Sequence, residues 1–483
     1  MGFRSLVNSC ASYKLAAALA LSACALLPSF ATAQPNQGGN GNGINISAGP
    51  AGGIKVDAKG VVDLLAMPDD STQTAREKAA SIRAAPQEAG AIVKPSAMRM
   101  ISLTRLEKAI AAKLAKNERL DEEMLNLAGL VRVQYVFVYP DTKDIVIAGP
   151  AEGYMSDPTG RVIGIETGRA VVQLEDLVVA LRAFGPSAKA PTVIGCSIDP
   201  TKEGLANLQK SLIEVGKQMR TKPTPQQANN IANHLRDALG LQNVTVNGIS
   251  PKTHMAKVLV EADYKMKLIG IGIDNKPVKN MKSYVDVANP AAVSRNALKR
   301  WYFVPNYECV RVADDNQAME LVGEGVKLVG EDEVVSNDGG RTQTGTADAA
   351  SKTFTESFTK AYPEIARRAT VYGELRNIID LSVAAAFMQK HDFFAKADWK
   401  MEVLGDEKQF ATETHHAPKQ VSSACIALAK GARVSFPIGG GVHVQPKLAL
   451  NTSNLLQDED GSVMKRRENV TLDKLAENQW WWD

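Results

Sequence analysis

Apolar side chains recur at two spacings along the chain, and each spacing predicts its own elements. Residues 131–139 (VRVQYVFVY) put Val131, Val133, Tyr135, Phe137 and Tyr139 on one face of a strand. Val136 and Val138 make the second half apolar on both faces, the pattern of a strand interior to a sheet. A turn at 140–144 and the apolar return 145–148 complete a hairpin. A second turn at 157–160 precedes a short strand from Val162. Leu174, Leu177, Val178, Leu181 and Phe184 then fall at helical spacing. Glu175 and Asp176 at the start of that helix and Arg182 near its end suit the helix dipole, and Gly185 is placed to close it in the left-handed conformation. Upstream, the Ala-, Lys- and Arg-rich stretch 72–117 reads as helical. Its clearest piece has Thr104 and Glu107 as a capping box and Leu106, Ile110 and Leu114 on one face.

Residues 193–198 predict a strand running into Asp199-Pro200, taken as an N-cap followed by a first-turn proline. Leu205, Leu208, Leu212 and Val215 form the apolar face of the helix that follows. Thr224-Pro225 starts another helix, through Leu239 and stopped at Gly240. Residues 244–246, 255–262 and 266–271 look strand-like, 294–335 reads as a β-meander, and 336–351 as a polar linker. Two helices, about 354–368 and 373–389, precede a β-rich region to about Leu450 and a charged tail expected to be mobile until its last residues. Without regular βαβ order the class is α+β, multi-domain, with mixed sheets and packed helices. The expected units are 61–190, 191–335 and 352–450, with the linker 336–351 and the tail 451–483.

Composition sharpens this at the N-terminus. Residues 1–33 carry Arg4 and Lys14, no acidic side chain, an apolar run from 15 to 30, and Ala31-Thr32-Ala33, the pattern of a secretory signal peptide cleaved after Ala33. Leu21-Ser22-Ala23-Cys24 offers a lipoprotein site as the alternative. The Gly/Asn-rich stretch 34–60 reads as a flexible leader. No apolar run near the ~20 residues needed for a bilayer span follows Gln34. The expected location is therefore secreted or periplasmic. The full chain of 483 residues has 56 basic and 53 acidic side chains, too balanced for polyanion binding through bulk charge, so no nucleic-acid partner is expected. Cys196, Cys309 and Cys425 would remain after cleavage, enough for one disulfide at most.

Signatures of chemistry are sparse. There is no HExxH, GxSxG or phosphate-loop motif, and no metal or cofactor is implied. Glu413-Thr414-His415-His416 is the one concentration of histidine, open to a ligand or general-base role, although neighbours on a strand point to opposite faces. Glu374 and Asp380 are candidates for a carboxylate pair, with Arg376 and Asp380 at the spacing of a surface ion pair. Gly195-Cys196-Ser197 reads as a strand with a structural cysteine, Ser462-Val463-Met464-Lys465 as a chance SxxK, and Gly439-Gly440-Gly441 as a turn between strands. Trp480-Trp481-Trp482-Asp483 gathers three of the five tryptophans, suited to folding back on the core or to docking on an envelope protein or surface.

Residues 133–153, 172–184 and 372–386, with 300–333 between them, resemble an uncharacterised family of exported planctomycete proteins classed as a domain of unknown function. The resemblance covers about 125 to 450 and implies no activity or site residues. Two functions stand: a binding or structural component of the cell envelope, towards which the missing signatures and the tryptophans lean, and an exported hydrolase whose site is assembled from residues remote in sequence.

Overall fold

The computed structural model describes residues 51–56, 60–66, 94–157, 159–218, 223–288, 297–423, 427–428, 433–434, 438–472, 475–476 and 478–483. The signal-peptide residues, Cys24, Cys425 and residues 72–93 of the 72–117 stretch expected to be helical lie outside them. The chain divides into the units 1–45 and 46–483, and every described residue belongs to the second.

The first described strand, Ala51–Val56, lies where the leader was expected and pairs antiparallel with Val61–Ala66, at the start of the expected 61–190 unit. The next, β1 (Ser96–Ser102), corrects the helical reading of that part of 72–117. Helix α1 (Leu103–Ala115) starts one residue before Thr104, because Ser102 is its N-cap and accepts from the Arg105 amide. Glu107 therefore closes no capping box. Its buried carboxylate accepts from the Val403 and Leu404 amides at 2.8 Å each and from the Trp399 indole. The hairpin forms as expected, β2 (Tyr135–Tyr139) with β3 (Asp144–Ala151), and β2 is interior to a seven-stranded sheet. Val136 and Val138 face the main core, while Tyr135 and Phe137 face a second cluster containing Val463, Val470 and Leu472.

Helix α2 (Leu174–Ala183) buries the predicted stripe, but Gly185 does not take a left-handed conformation; the helix closes on Phe184 at φ −124°. Strand β4 (Ile194–Pro200) continues through Asp199-Pro200, so the cap of α3 (Lys202–Gln218) falls instead at Thr201, whose hydroxyl accepts from the Gly204 amide. Helix α4 (Pro225–Leu239) has the expected start, with a capping box between Thr224 and Gln227. Strand β5 (Leu241–Asn247) follows.

The largest departure comes next. Residues 255–262 and 266–271, expected as strands, belong to one helix, α5 (His254–Gly270), buried at nearly every position. An apolar run buried on all sides carries no period that separates helix from strand. Here the helix packs on β4, α2 and two later elements, at 370–390 and 438–444.

Residues 294–335 are not one meander. Strand β6 (Ala297–Pro305) pairs antiparallel with β9 (Val326–Val335) in a nine-stranded sheet, whereas β7 (Val310–Val312) and β8 (Ala318–Leu321) join the seven-stranded one. The expected linker carries a further strand, Arg341–Gln343, before α6 (Ala349–Arg368) and α7 (Thr370–Lys390). Gly439, Gly440 and Gly441 lie in strand β10 (Ile438–Val444), not in a turn. It runs between β4 and β6, so close that a Cβ on Gly441 would run into the Cys196 carbonyl. The tail is packed: α8 (Ser462–Glu468) covers Tyr135 and Phe137 through Val463, and β11 (Trp481–Trp482) pairs with β1. The whole is α+β, with mixed sheets and helices packed on them. No helix among the described residues is long and apolar enough to cross a membrane. Cys196 and Cys309 are buried free thiols.

Candidate functional site

Three helix beginnings supply the ionisable groups of one cluster. Glu175 and Asp176 are in the first turn of α2, His254 is the first residue of α5, and Glu374 stands just over a turn into α7. Thr253 fixes the start of α5 by accepting from the Ala256 amide. The 157–160 turn is tied to the start of α7: Asp157 accepts from the Thr159 and Arg161 amides through one oxygen and from the Thr370 hydroxyl through the other. This fixes Arg161, which donates to Glu374 at 2.8 Å and to Glu261 at 2.7 Å. Glu261 lies seven residues beyond His254, two turns along the same face of α5.

This inner part is closed, with Glu261 only 1% and Glu374 only 7% exposed. Burial pushes the Glu374 carboxyl up, against the pull of Arg161 and His254. Burial alone would lower the Arg161 guanidinium, but its two carboxylates outweigh that and hold it charged.

The outer part reaches solvent. His254 Nδ1 lies 3.0 Å from Asp176, His415 Nε2 lies 3.0 Å from Glu175, and the two imidazoles stand 5.2 Å apart. The His415 amide donates to the Lys252 carbonyl and the Ala417 amide to that of Pro251, laying this segment on the turn before α5. Arg182 secures the preceding stretch through the Leu404 and Phe410 carbonyls. Glu175 and His415 are 23% and 19% exposed, so the network opens to solvent at this pair. Burial raises Glu175 to about 7, with Asp176 and Glu413 adding repulsion and His254 opposing it. Burial would lower His254, but Asp176 outweighs it and brings the imidazole up to about 9. His415 is lowered by burial and by His254. At neutral pH His254 is thus an imidazolium on Asp176, His415 is neutral, and Glu175 is near the midpoint of its titration. A carboxyl and an imidazole in hydrogen-bond contact with such values can pass a proton between them.

Of the residues singled out from sequence, His415 and Glu374 enter this cluster, and Glu413 is exposed within electrostatic reach of Glu175 and His415. His416 is exposed. Asp380 belongs elsewhere: it binds Arg132 at 2.8 Å, while Arg376 turns to Glu324 and the Val131 carbonyl. The expected surface pair of Arg376 and Asp380 is absent because α7 is buried on nearly all sides. Arg161, Glu175, Asp176, His254 and Glu261 were not anticipated. The acidic pair had a sufficient local explanation in the helix dipole, and the strand reading of 255–262 concealed the shared face of His254 and Glu261. Ser462 and Lys465 do lie on a helix, α8, but are tied to their own loop through Asp458 and the Asp460 carbonyl. No group of three or more His, Cys, Asp or Glu among the described residues is placed to hold a metal ion.

The tryptophans lie on their own chain. Trp480 is buried, and its carbonyl accepts from the Ser102 amide. Trp481 stacks under the Arg99 guanidinium at 4.6 Å and donates to Glu123, while Asp483 takes two hydrogen bonds from Arg99 at 2.8 and 3.0 Å.

A family model described as a protein of unknown function (DUF1598) matches residues 196–284. The matched segment contains β4 to α5 and contributes His254 and Glu261 to the cluster. The stretches that carry the resemblance to exported proteins, 133–153, 172–184, 300–333 and 372–386, lie outside it. No curated protein and no solved structure matches the chain.

Proposed function

We propose that the chain is an exported hydrolase whose acid–base centre is the Glu175–His415 pair, supported by Asp176–His254. The observation that carries this reading is the pairing of two histidines with two carboxylates, at 3.0 Å each, at the solvent end of an otherwise buried ionic network. With Nε2 engaged by Glu175, the other nitrogen of neutral His415 is the one that takes a proton from an attacking water. The imidazolium that forms is stabilised by the Glu175 carboxylate and returns the proton from that same nitrogen to the leaving group. The His254 imidazolium keeps His415 unprotonated between turnovers and sets positive charge beside the centre. An envelope-docking role through Trp480, Trp481 and Trp482 has less support, since their contacts are with their own chain.

The test is hydrolysis of p-nitrophenyl acetate, p-nitrophenyl phosphate and p-nitrophenyl glycosides by the native chain, Glu175→Gln and His415→Asn. Turnover of one substrate class, reduced about 10²–10⁴-fold in both variants, is the expected result. Silence on every class, or equal rates in all three proteins, would reject the reading. Export is checked separately: protein recovered outside the cytoplasm should begin at Gln34, and retention of Met1 would contradict it.

A further inference from the structure

A second ionic cluster, one and a half turns further along α7, differs from the first in having unfilled donors. Arg376 is 1% exposed and Arg132 8% exposed, yet Arg376 Nε and Arg132 Nη2 have no hydrogen-bond partner among the described residues. The two side chains are neighbours, since Arg376 donates to the carbonyl of Val131, the residue before Arg132. Both converge on the turn Gly323-Glu324-Gly325: Arg132 Nη1 donates to the Gly323 carbonyl at 2.5 Å, and Arg376 Nη1 reaches Glu324 at 3.3 Å. A buried donor left unsatisfied costs about 1–3 kcal/mol, more when charged, so two such donors in adjacent guanidiniums call for an occupant.

The carboxylates divide unequally. Asp380 is 2% exposed and accepts from Arg132 Nε through one oxygen at 2.8 Å. Glu324 is a quarter exposed, sits at the long end of ion-pair contact, and is carried on a turn whose flanking glycines have φ of +66° and +68°. Position 325 needs glycine for that φ. The missing side chain has a second consequence: a Cβ there would crowd Asp380 Oδ1 at 3.0 Å and touch Arg132 Nη2 at 3.8 Å, so the glycine lets the turn lie against this pair. With Glu324 in place two cations face two anions. With Glu324 swung out, Arg132, Arg376 and Asp380 carry a net charge of +1, which matches a monoanion.

We propose that Arg132 and Arg376 form a binding site for a small carboxylate, and that Glu324 is its displaceable internal occupant. The guanidinium edge matches the planar two-oxygen geometry of a carboxylate, which is the group Glu324 presents. The inference is independent of the proposed acid–base centre.

Thermal denaturation of the full chain would be followed against sodium acetate, sodium phosphate and sodium chloride at matched ionic strength. The native protein, Glu324→Gln and Glu324→Ala would be compared. Acetate should stabilise saturably where chloride does not, and both variants should bind it about tenfold more tightly, since the competing carboxylate is gone. Absence of saturable stabilisation in all three proteins, or equal acetate affinity in all three, would overturn the proposal. Tighter binding of phosphate than of acetate would overturn the carboxylate assignment.

Discussion

The two ionic clusters on α7 are built from similar parts and solve different problems. Around Glu374, one arginine bridges two carboxylates, and beyond them lie Glu175, raised to about 7, and His254, raised to about 9. Around Asp380, two arginines face two carboxylates, and among the described residues no histidine joins them. The first cluster can exchange protons with solvent at Glu175 and His415. The second can change its charge by exchanging an anion at Glu324. The placement of a titratable group, more than the number of charges, separates a proton-transfer site from an ion-binding one.

The severest way to break this contrast is Arg161→Met. It leaves Glu261 and Glu374 buried without their shared cation, and should destabilise the fold by about 3–5 kcal/mol in urea denaturation at neutral pH. Part of that loss should return at acid pH, where the stranded carboxylates become protonated. A loss independent of pH would mean that Arg161 acts by packing alone. Asp380→Asn probes the other cluster. It keeps a hydrogen-bonding group beside Arg132 but removes one charge, and should cost about 1–3 kcal/mol. Because arginine does not titrate in the accessible range, lowering the pH should not rescue this variant. Rescue at acid pH would erase the distinction between the clusters.

Much of the frame was legible in the sequence because it is local. The 135–148 hairpin, the stripe of α2 and the Thr224-Pro225 helix start each rest on a few neighbouring residues. Elements read from apolar runs alone fared worse. Helix α5 is buried on all sides and looks like two strands, and the strands between 297 and 335 alternate between sheets in a way that no turn signal encodes. The candidate site was legible only in fragments: His415 meets Glu175 across 240 residues, and Arg161 meets Glu374 across 213. The tryptophan tail was visible as an anomaly. Its docking on β1, with Arg99 between Trp481 and Asp483, depends on an edge strand that the sequence reads as helix.

The smallest expected effect sharpens the contrast most, because it depends on the sign of a titration. Glu175 is raised from 4.5 to about 7, so the folded chain holds this proton more tightly than the unfolded chain does. Its contribution is therefore greatest below pH 4.5 and is lost as the pH climbs through 7. His254, raised from 6.5 to about 9, has the same sign: its contribution is full below 6.5 and lost as the pH rises through 9. Glu175→Gln removes the first of these windows and leaves the second. Measured by urea denaturation from pH 4 to 9, the variant should gain on the native protein by roughly 1–2 kcal/mol between pH 4.5 and 7, with the difference level above that. A difference that instead develops between pH 6.5 and 9 would assign the neutral-range titration to His254 and leave Glu175 without the titration near neutrality that the acid–base reading gives it.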